Sequence, residues 1–222
     1  MKKSPVLIAK NLGISFGGLK AVSDFNLDIN QGELVGLIGP NGAGKTTVFN
    51  LLTGVYEPTE GEFFLNGVRM NGKKTYQVVA SGIARTFQNI RLFKNLTVLE
   101  NVKIAFTKNI NYSIFKAIFR SKSYWKEEAE IDKKARELLS LFNLEDKADY
   151  LANNLPYGAQ RKLEIARALA TDMKLLLLDE PAAGMNPTET AELLQCINLI
   201  RQKFNVSILL IEHDMSLSLI HI

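Results

Sequence analysis

One cysteine in 222 residues, Cys196, leaves no partner for an internal disulfide and too few thiols for the usual multi-cysteine zinc patterns. A chain so poor in cysteine suits a reducing compartment, and the residue itself reads as a small buried hydrophobe. No tract rich in Pro, Gly, Ser or Gln marks a linker or a disordered tail, and no internal repeat is visible. Dense runs of positive charge are missing too. The 27 Lys and Arg stand against 23 Asp and Glu, a net charge of +4 spread along the chain, which gives a nucleic-acid partner little support. Apolar runs stay short: Leu175 to Leu178 and Val206 to Ile211 have strand length, far below the roughly 20 residues that a bilayer crossing needs. In the opening MKKSPVLIAKN the apolar stretch is broken by Lys10 and is too short for a signal segment. Any work at a membrane would therefore go through partners. What is present is an ordinary globular composition, 46% hydrophobic and 23% charged, in a chain long enough to bury a full core as one domain with two lobes.

Phe25, Leu27 and Ile29 alternate with Asn26 and Asp28, and Phe63-Phe64-Leu65 runs into the turn pair Asn66-Gly67, so these segments are expected to form antiparallel strands and a hairpin. Leu34 to Ile38, Leu175 to Leu178 and Val206 to Ile211 are unbroken apolar runs, the pattern of parallel strands covered on both faces. Two lobes of sheet are thus expected to share one core. From about residue 96 to 155 the pattern turns helical. Thr97-Val98-Leu99-Glu100 spells a capping box, and Lys126 to Phe142 carries apolar residues at helical spacing, which predicts a helical subdomain. Inside it, Asn109 to Trp125 mixes aromatic and apolar residues with Lys116, Arg120, Lys122 and Lys126. That segment reads either as subdomain core with a solvated basic face or as a stripe that docks on a membrane surface or a partner.

Gly39-Pro40-Asn41-Gly42-Ala43-Gly44-Lys45-Thr46-Thr47 matches the P-loop pattern, directly after the apolar run Glu33 to Ile38 and before a helical stretch from Thr46 to Leu52. The glycines let main-chain N–H groups turn onto phosphates, and the helix that starts there adds its positive end. Lys45 is expected to reach the β- and γ-phosphates, and the Thr46 hydroxyl to sit on Mg²⁺. With each fixed position taken at about 7%, chance yields such a string in a chain this long on the order of once in a hundred, and the strand–helix context makes chance rarer still. Farther on, Leu175-Leu176-Leu177-Leu178 delivers Asp179 and Glu180 to the C-terminal end of a buried strand, where open α/β sheets place their ligands. Asp179 fits a ligand that helps hold Mg²⁺, and Glu180 a base that activates the water attacking the γ-phosphate.

Taken together, the order of these motifs resembles the ATP-binding cassette family over essentially the whole chain. The resemblance implies an α/β fold: a P-loop NTPase core with an N-terminal antiparallel β subdomain and an inserted α-helical subdomain. It implies ATP and Mg²⁺ as ligands. Phe16 in SFGGLKAV resembles the aromatic that stacks on adenine. Gln88 in RTFQNIRLF resembles the glutamine that contacts Mg²⁺ and the attacking water and relays the nucleotide state to membrane subunits, and His213 in IEHDM resembles the histidine that hydrogen-bonds the γ-phosphate. The stretch Leu155-Pro156-Tyr157-Gly158-Ala159-Gln160 occupies the place of the family's LSGGQ signature but keeps only Leu155 and Gly158 in register. Without the serine hydroxyl, either main-chain N–H groups of Tyr157 and Gly158 at a helix start serve the partner's γ-phosphate or hydrolysis is weakened. Asn186 likewise stands where aspartate is usual. These departures, with RTFQNIRLFKNLTVLENV and DEPAAGMNP, resemble the branch that serves high-affinity branched-chain amino acid import.

The partners so implied are a second cassette, identical or different, facing this one head to tail, two transmembrane permease subunits, and a periplasmic or extracellular solute-binding protein. The implied location is peripheral, on the cytoplasmic face of the inner or plasma membrane. Rival readings are a cassette for another polar or amide-like solute or for lipopolysaccharide export, a soluble cassette ATPase acting on ribosomes or DNA, and a regulatory module that no longer hydrolyses. Paired cassettes or coiled-coil inserts, typical of the soluble class, are not visible, and the presence of Glu180 and His213 speaks against the regulatory one. The resemblance also frames residues 1–216 as one cassette domain with the helical subdomain at about 96–155. Related cassettes continue past Met215, and LSLIHI at 217–222 resembles a translated transposase adapter, so those residues are expected to be a non-native tail in which His221 has no function.

Overall fold

Alternating apolar side chains organise the first sheet. In the computed structural model, which describes residues 5–106 and 120–212, β1 (Pro5–Phe16) and β2 (Leu19–Asn30) pair antiparallel, with Leu7 opposite Ile29, Ala9 opposite Leu27 and Leu12 opposite Phe25. Successive strand residues face opposite ways, so Phe25, Leu27 and Ile29 turn to the core while Asn26 and Asp28 stay exposed. β4 (Glu60–Leu65) pairs with the other side of β1 and turns through Asn66-Gly67 into the short β5 (Val68–Arg69), giving the order β2-β1-β4-β5. Both turn residues have positive φ, 48° and 76°, the backbone that this expected hairpin pair favours.

The second sheet is parallel. It contains β3 (Leu34–Ile38), β6 (Ile83–Arg85), β7 (Leu175–Asp179) and β8 (Ser207–Glu212) in the order β3-β8-β7-β6. Every residue of β7 and β8 is buried, as the unbroken apolar runs predict. β3 departs from that expectation: Leu34 to Leu37 are half-buried and Ile38 is exposed. It ends the sheet, and among the described residues no strand pairs with its outer side, so an apolar run here signals parallel pairing without full cover.

Both sheets feed one core, with Leu12, Phe63 and Leu65 from the first and Leu177, Leu209 and Ile211 from the second. α1 (Lys45–Leu52) inserts Phe49, Leu51 and Leu52 into it, each fully buried and each worth about 1.5–3 kcal/mol of transfer free energy. With α2 (Thr75–Ala80) these elements make one compact unit, formed by the described parts of Met1–Gln88, Met173–Ala183 and Ile197–Ile222.

A second unit comprises the described parts of Asn89–Asp172 and Gly184–Cys196. It holds α3 (Val98–Ala105), α4 (Lys122–Leu141), α5 (Tyr157–Leu169) and the first part of α6 (Pro187–Phe204). The capping box that opens α3 forms as spelled: Thr97 Oγ1 accepts from the Glu100 N–H at 3.1 Å, and Glu100 Oε2 accepts from the Thr97 N–H at 2.7 Å. Buried Asn101 ties the preceding loop to the same helix, accepting from Phe93 N–H and donating to the carbonyls of Phe93 and Thr97. α6 opens on a second reciprocal pair, in which Asn186 Oδ1 accepts from Glu189 N–H and Glu189 Oε2 from Asn186 N–H. Asn186 thus has a helix-capping role that asparagine fills as well as aspartate does. Of the aromatic and basic segment 109–125, residues 109–119 lie outside the described residues, while Tyr124 and exposed Trp125 meet edge to face at 5.3 Å in the first turn of α4.

Candidate active site

Sheet order brings the two main motifs to one edge. β3 and β7 flank β8, with Ile38 level with Glu212 and Asp179 level with Ile211, so the P-loop that follows β3 and the acids that end β7 emerge at the same C-terminal edge. Two strand spacings, about 10 Å, separate them. From Gly39 the chain runs through Pro40, Asn41, Gly42 and Ala43 to Gly44, the N-cap of α1. Gly44 has φ 84°, and a β-carbon there would stand 2.7 Å from the Ala21 carbonyl oxygen, so no other residue fits without moving β2. Lys45 is buried, and its ammonium donates to the carbonyls of Gly39 at 2.6 Å and Pro40 at 2.9 Å, which closes the loop around its own cation. Thr46 is exposed and Thr47 half-buried in the first turn of α1.

At the end of β7, Asp179 is buried and Glu180 half-buried. Glu180 leaves the strand at φ 46° while its N–H still donates to the Ile211 carbonyl at 3.1 Å. Positive φ is costly for glutamate, and such strain gathers at functional sites. Gln88 is exposed, and its amide Nε2 donates to Glu180 Oε2 at 2.9 Å, so two residues 92 apart in sequence meet here. Asp179 Oδ2 accepts from Arg85 Nη2 at 2.7 Å. Arg85 was not among the residues expected here. No short motif announces it, since its partner is 94 residues away and is reached only through the pairing of β6 with β7.

Phe16 is 47% exposed at the β1–β2 hairpin and stands edge to face with Tyr56, centroids 5.3 Å apart. The same hairpin carries Ala21 and Val22 against Gly44, so one hairpin bears both the aromatic Phe16 and a contact with the P-loop. Tyr56 is a second aromatic that no sequence pattern marked. Tyr157 and Gly158 belong to the second unit, where they form the first turn of α5. Pro156 is the N-cap and supplies no side-chain acceptor, so no cap side chain occupies the main-chain N–H groups of this first turn. Tyr157 is exposed, with its hydroxyl accepting from Arg161 Nη2 at 3.3 Å, and Arg161 in turn is buried in an ion pair with Glu164 at 2.8 Å. His213 and residues 214–222 lie outside the described residues.

The chain is 45% identical over 213 residues to the high-affinity branched-chain amino acid transport ATP-binding protein BraF of Pseudomonas aeruginosa, a match that covers 96% of this chain and 84% of that protein. Among solved structures it resembles the ADP conformation of MJ1267, an ATP-binding cassette of an ABC transporter, with a TM-score of 0.82 and 31% identity over 96% of this chain and 83% of that one. It also resembles the ATP-binding cassette MJ0796 in a dimeric post-hydrolysis state bound to ADP and Pi, with a TM-score of 0.76 and 26% identity over 95% and 89% of the two chains. The family model described as ABC transporter matches residues 22–183, from the strand beside Gly44 to the turn beyond Glu180, and the chain belongs to the ABC transporter family as one of its ATPase cassettes.

Proposed function

We propose that this chain binds and hydrolyses ATP to energise uptake of branched-chain amino acids, working on the cytoplasmic face of the membrane with a second cassette, two permease subunits and a solute-binding protein. The observation that carries the ATPase chemistry is the convergence of P-loop, Asp179, Glu180 and Gln88 at one sheet edge. Likeness to BraF supports the solute, and likeness to the dimeric MJ0796 supports the second cassette. No described helix is long and apolar enough to cross a membrane, which leaves transport itself to partner subunits.

In this reading the main-chain N–H groups of residues 39–47 and the Lys45 ammonium take up the phosphate charge, and Phe16 with Tyr56 offers a face to the adenine ring. The donors that face a divalent cation are hard oxygens, the Thr46 hydroxyl, the Asp179 carboxylate and the Gln88 amide, a set suited to Mg²⁺. Mg²⁺ bound there would supply neutralisation of phosphate charge. Glu180 receives the proton of the attacking water, and the Gln88 amide holds that carboxylate by the 2.9 Å bond. Tyr157 and Gly158 offer main-chain donors to the partner's nucleotide, and His213 a further one to this subunit's γ-phosphate. In the assembled transporter, Glu180→Gln is expected to retain nucleotide binding and to lower ATP turnover by about 10²–10⁴-fold. Turnover at the wild-type rate would remove Glu180 from this role.

A further inference from the structure

Arg85 has no part in the chemistry above, yet it is a tightly held cation at the same sheet edge. It lies on β6, three residues before Gln88, with a side chain only 7% exposed. Nη2 donates to Asp179 Oδ2 and Nη1 to Asn50 Oδ1, both at 2.7 Å. The guanidinium also stands 5.4 Å from the ring centroid of Phe49 and 5.0 Å from that of Phe87. These partners come from three places: α1 just after the P-loop, the segment leading to Gln88, and the end of β7. A planar fork held at both tips and flanked by two rings has little freedom to turn. A buried ion pair of this kind repays its own desolvation poorly, so net stability is a weak reason for it. Its geometric effect falls on the carboxylate. One oxygen is fixed by the guanidinium, and the other, Oδ1, has no hydrogen-bond partner among the described residues.

We propose that Arg85 is a positioning residue for the divalent cation that accompanies the nucleotide: it fixes Asp179 in one orientation and leaves Oδ1 as the oxygen presented to the metal. The inference rests on the nucleotide reading given above and adds a residue to it. Asn50 and the two rings aim Arg85 in turn, so the helix after the P-loop and the strand before Gln88 both bear on where that oxygen points. Hydrogen-bond partners of metal-binding carboxylates typically matter by about 10–100-fold in metal affinity.

The test uses the full chain and a fluorescent ATP analogue, titrated with Mg²⁺ at fixed nucleotide and, separately, in EDTA without metal. Arg85→Gln is expected to raise the half-saturating Mg²⁺ concentration by about 10-fold or more while metal-free affinity stays within about twofold. Arg85→Lys keeps the charge but lacks the fork, and is expected to fall between the two. Wild-type Mg²⁺ half-saturation in a folded Arg85→Gln protein overturns the inference. So does an equal loss of metal-free affinity, because the guanidinium would then serve the pocket at large. Should Arg85→Gln fail to fold, Asn50→Ala decides: it releases one arm of the fork and leaves the Asp179 pair, and a rise of about threefold supports the inference while no change overturns it. A wild-type chain with no Mg²⁺-dependent affinity at all would instead bring down the nucleotide reading, and this inference with it.

Discussion

In the proposed function, Lys45 is the residue on which phosphate binding turns. Its ammonium already donates to the Gly39 and Pro40 carbonyls, so replacing it removes the cation and also leaves two loop carbonyls without that donor. Hydrogen bonds to a charged group are worth about 1.5–3 kcal/mol, which sets the expected loss of nucleotide affinity for Lys45→Ala at about 10–100-fold. A fluorescent-nucleotide titration measures it, and unchanged affinity would take Lys45 out of the site. At this scale the local strings were readable: the P-loop and the acid pair each lie within a few consecutive residues whose types state their chemistry, whereas Gln88 was marked only by the family resemblance. Arg85 and Tyr56 were not, because each acquires its meaning from a neighbour that only the fold supplies. Cys196 falls short of the buried position expected for it, because it lies on α6 outside the core. It is half-buried, and loss of solvent pushes its thiol above the usual range, away from the reactive thiolate.

Elements show where pattern reading succeeds and where it stops. The Asn66-Gly67 hairpin, the parallel runs of β7 and β8, and the box that opens α3 are all dictated within a dozen residues. β6 is three residues long and shows no periodicity, so nothing in its own sequence separates it from a loop. β3 and β8 carry equally apolar runs, and only their places in the sheet make one half-buried and the other fully buried. The α3 box yields a prediction at this scale. Thr97→Ala removes the hydroxyl that caps the Glu100 N–H and is expected to cost about 1 kcal/mol, which lowers the melting temperature by about 2–4 °C in a chain of this size. The Thr97 main-chain N–H, then its hydroxyl, hold the Glu100 carboxyl below its ordinary 4.5. Because the folded value is the lower one, the box stabilises fully above 4.5 and loses that contribution as pH falls through the folded value. Glu100→Gln is expected to flatten the acid limb of a melting-temperature profile, and an unchanged limb would deny the box this role.

Across the whole molecule, the family's cassette architecture was legible because a handful of motifs occur in one order, while the grouping of residues into units was not. Three separate stretches make up the sheet-bearing unit and two the helical one, so each is a product of long-range contacts. The reading of ATP as ligand makes a global prediction. A ligand at 100 times its dissociation constant stabilises the native state by about 2.7 kcal/mol, so ATP with Mg²⁺ should raise the melting temperature of the full chain by about 5–10 °C. A thermal melt with and without nucleotide measures the shift, and AMP at the same concentration is the control expected to do far less.

Eight described residues other than glycine hold a positive φ, and six of them are asparagine or aspartate, which tolerate it. Glu180 is one of the two that do not, and glycine at that place would relax the backbone. Folding and reactivity therefore pull this position in opposite directions. A search for sturdier variants that scores stability alone would be drawn toward erasing the carboxylate proposed as the base for turnover.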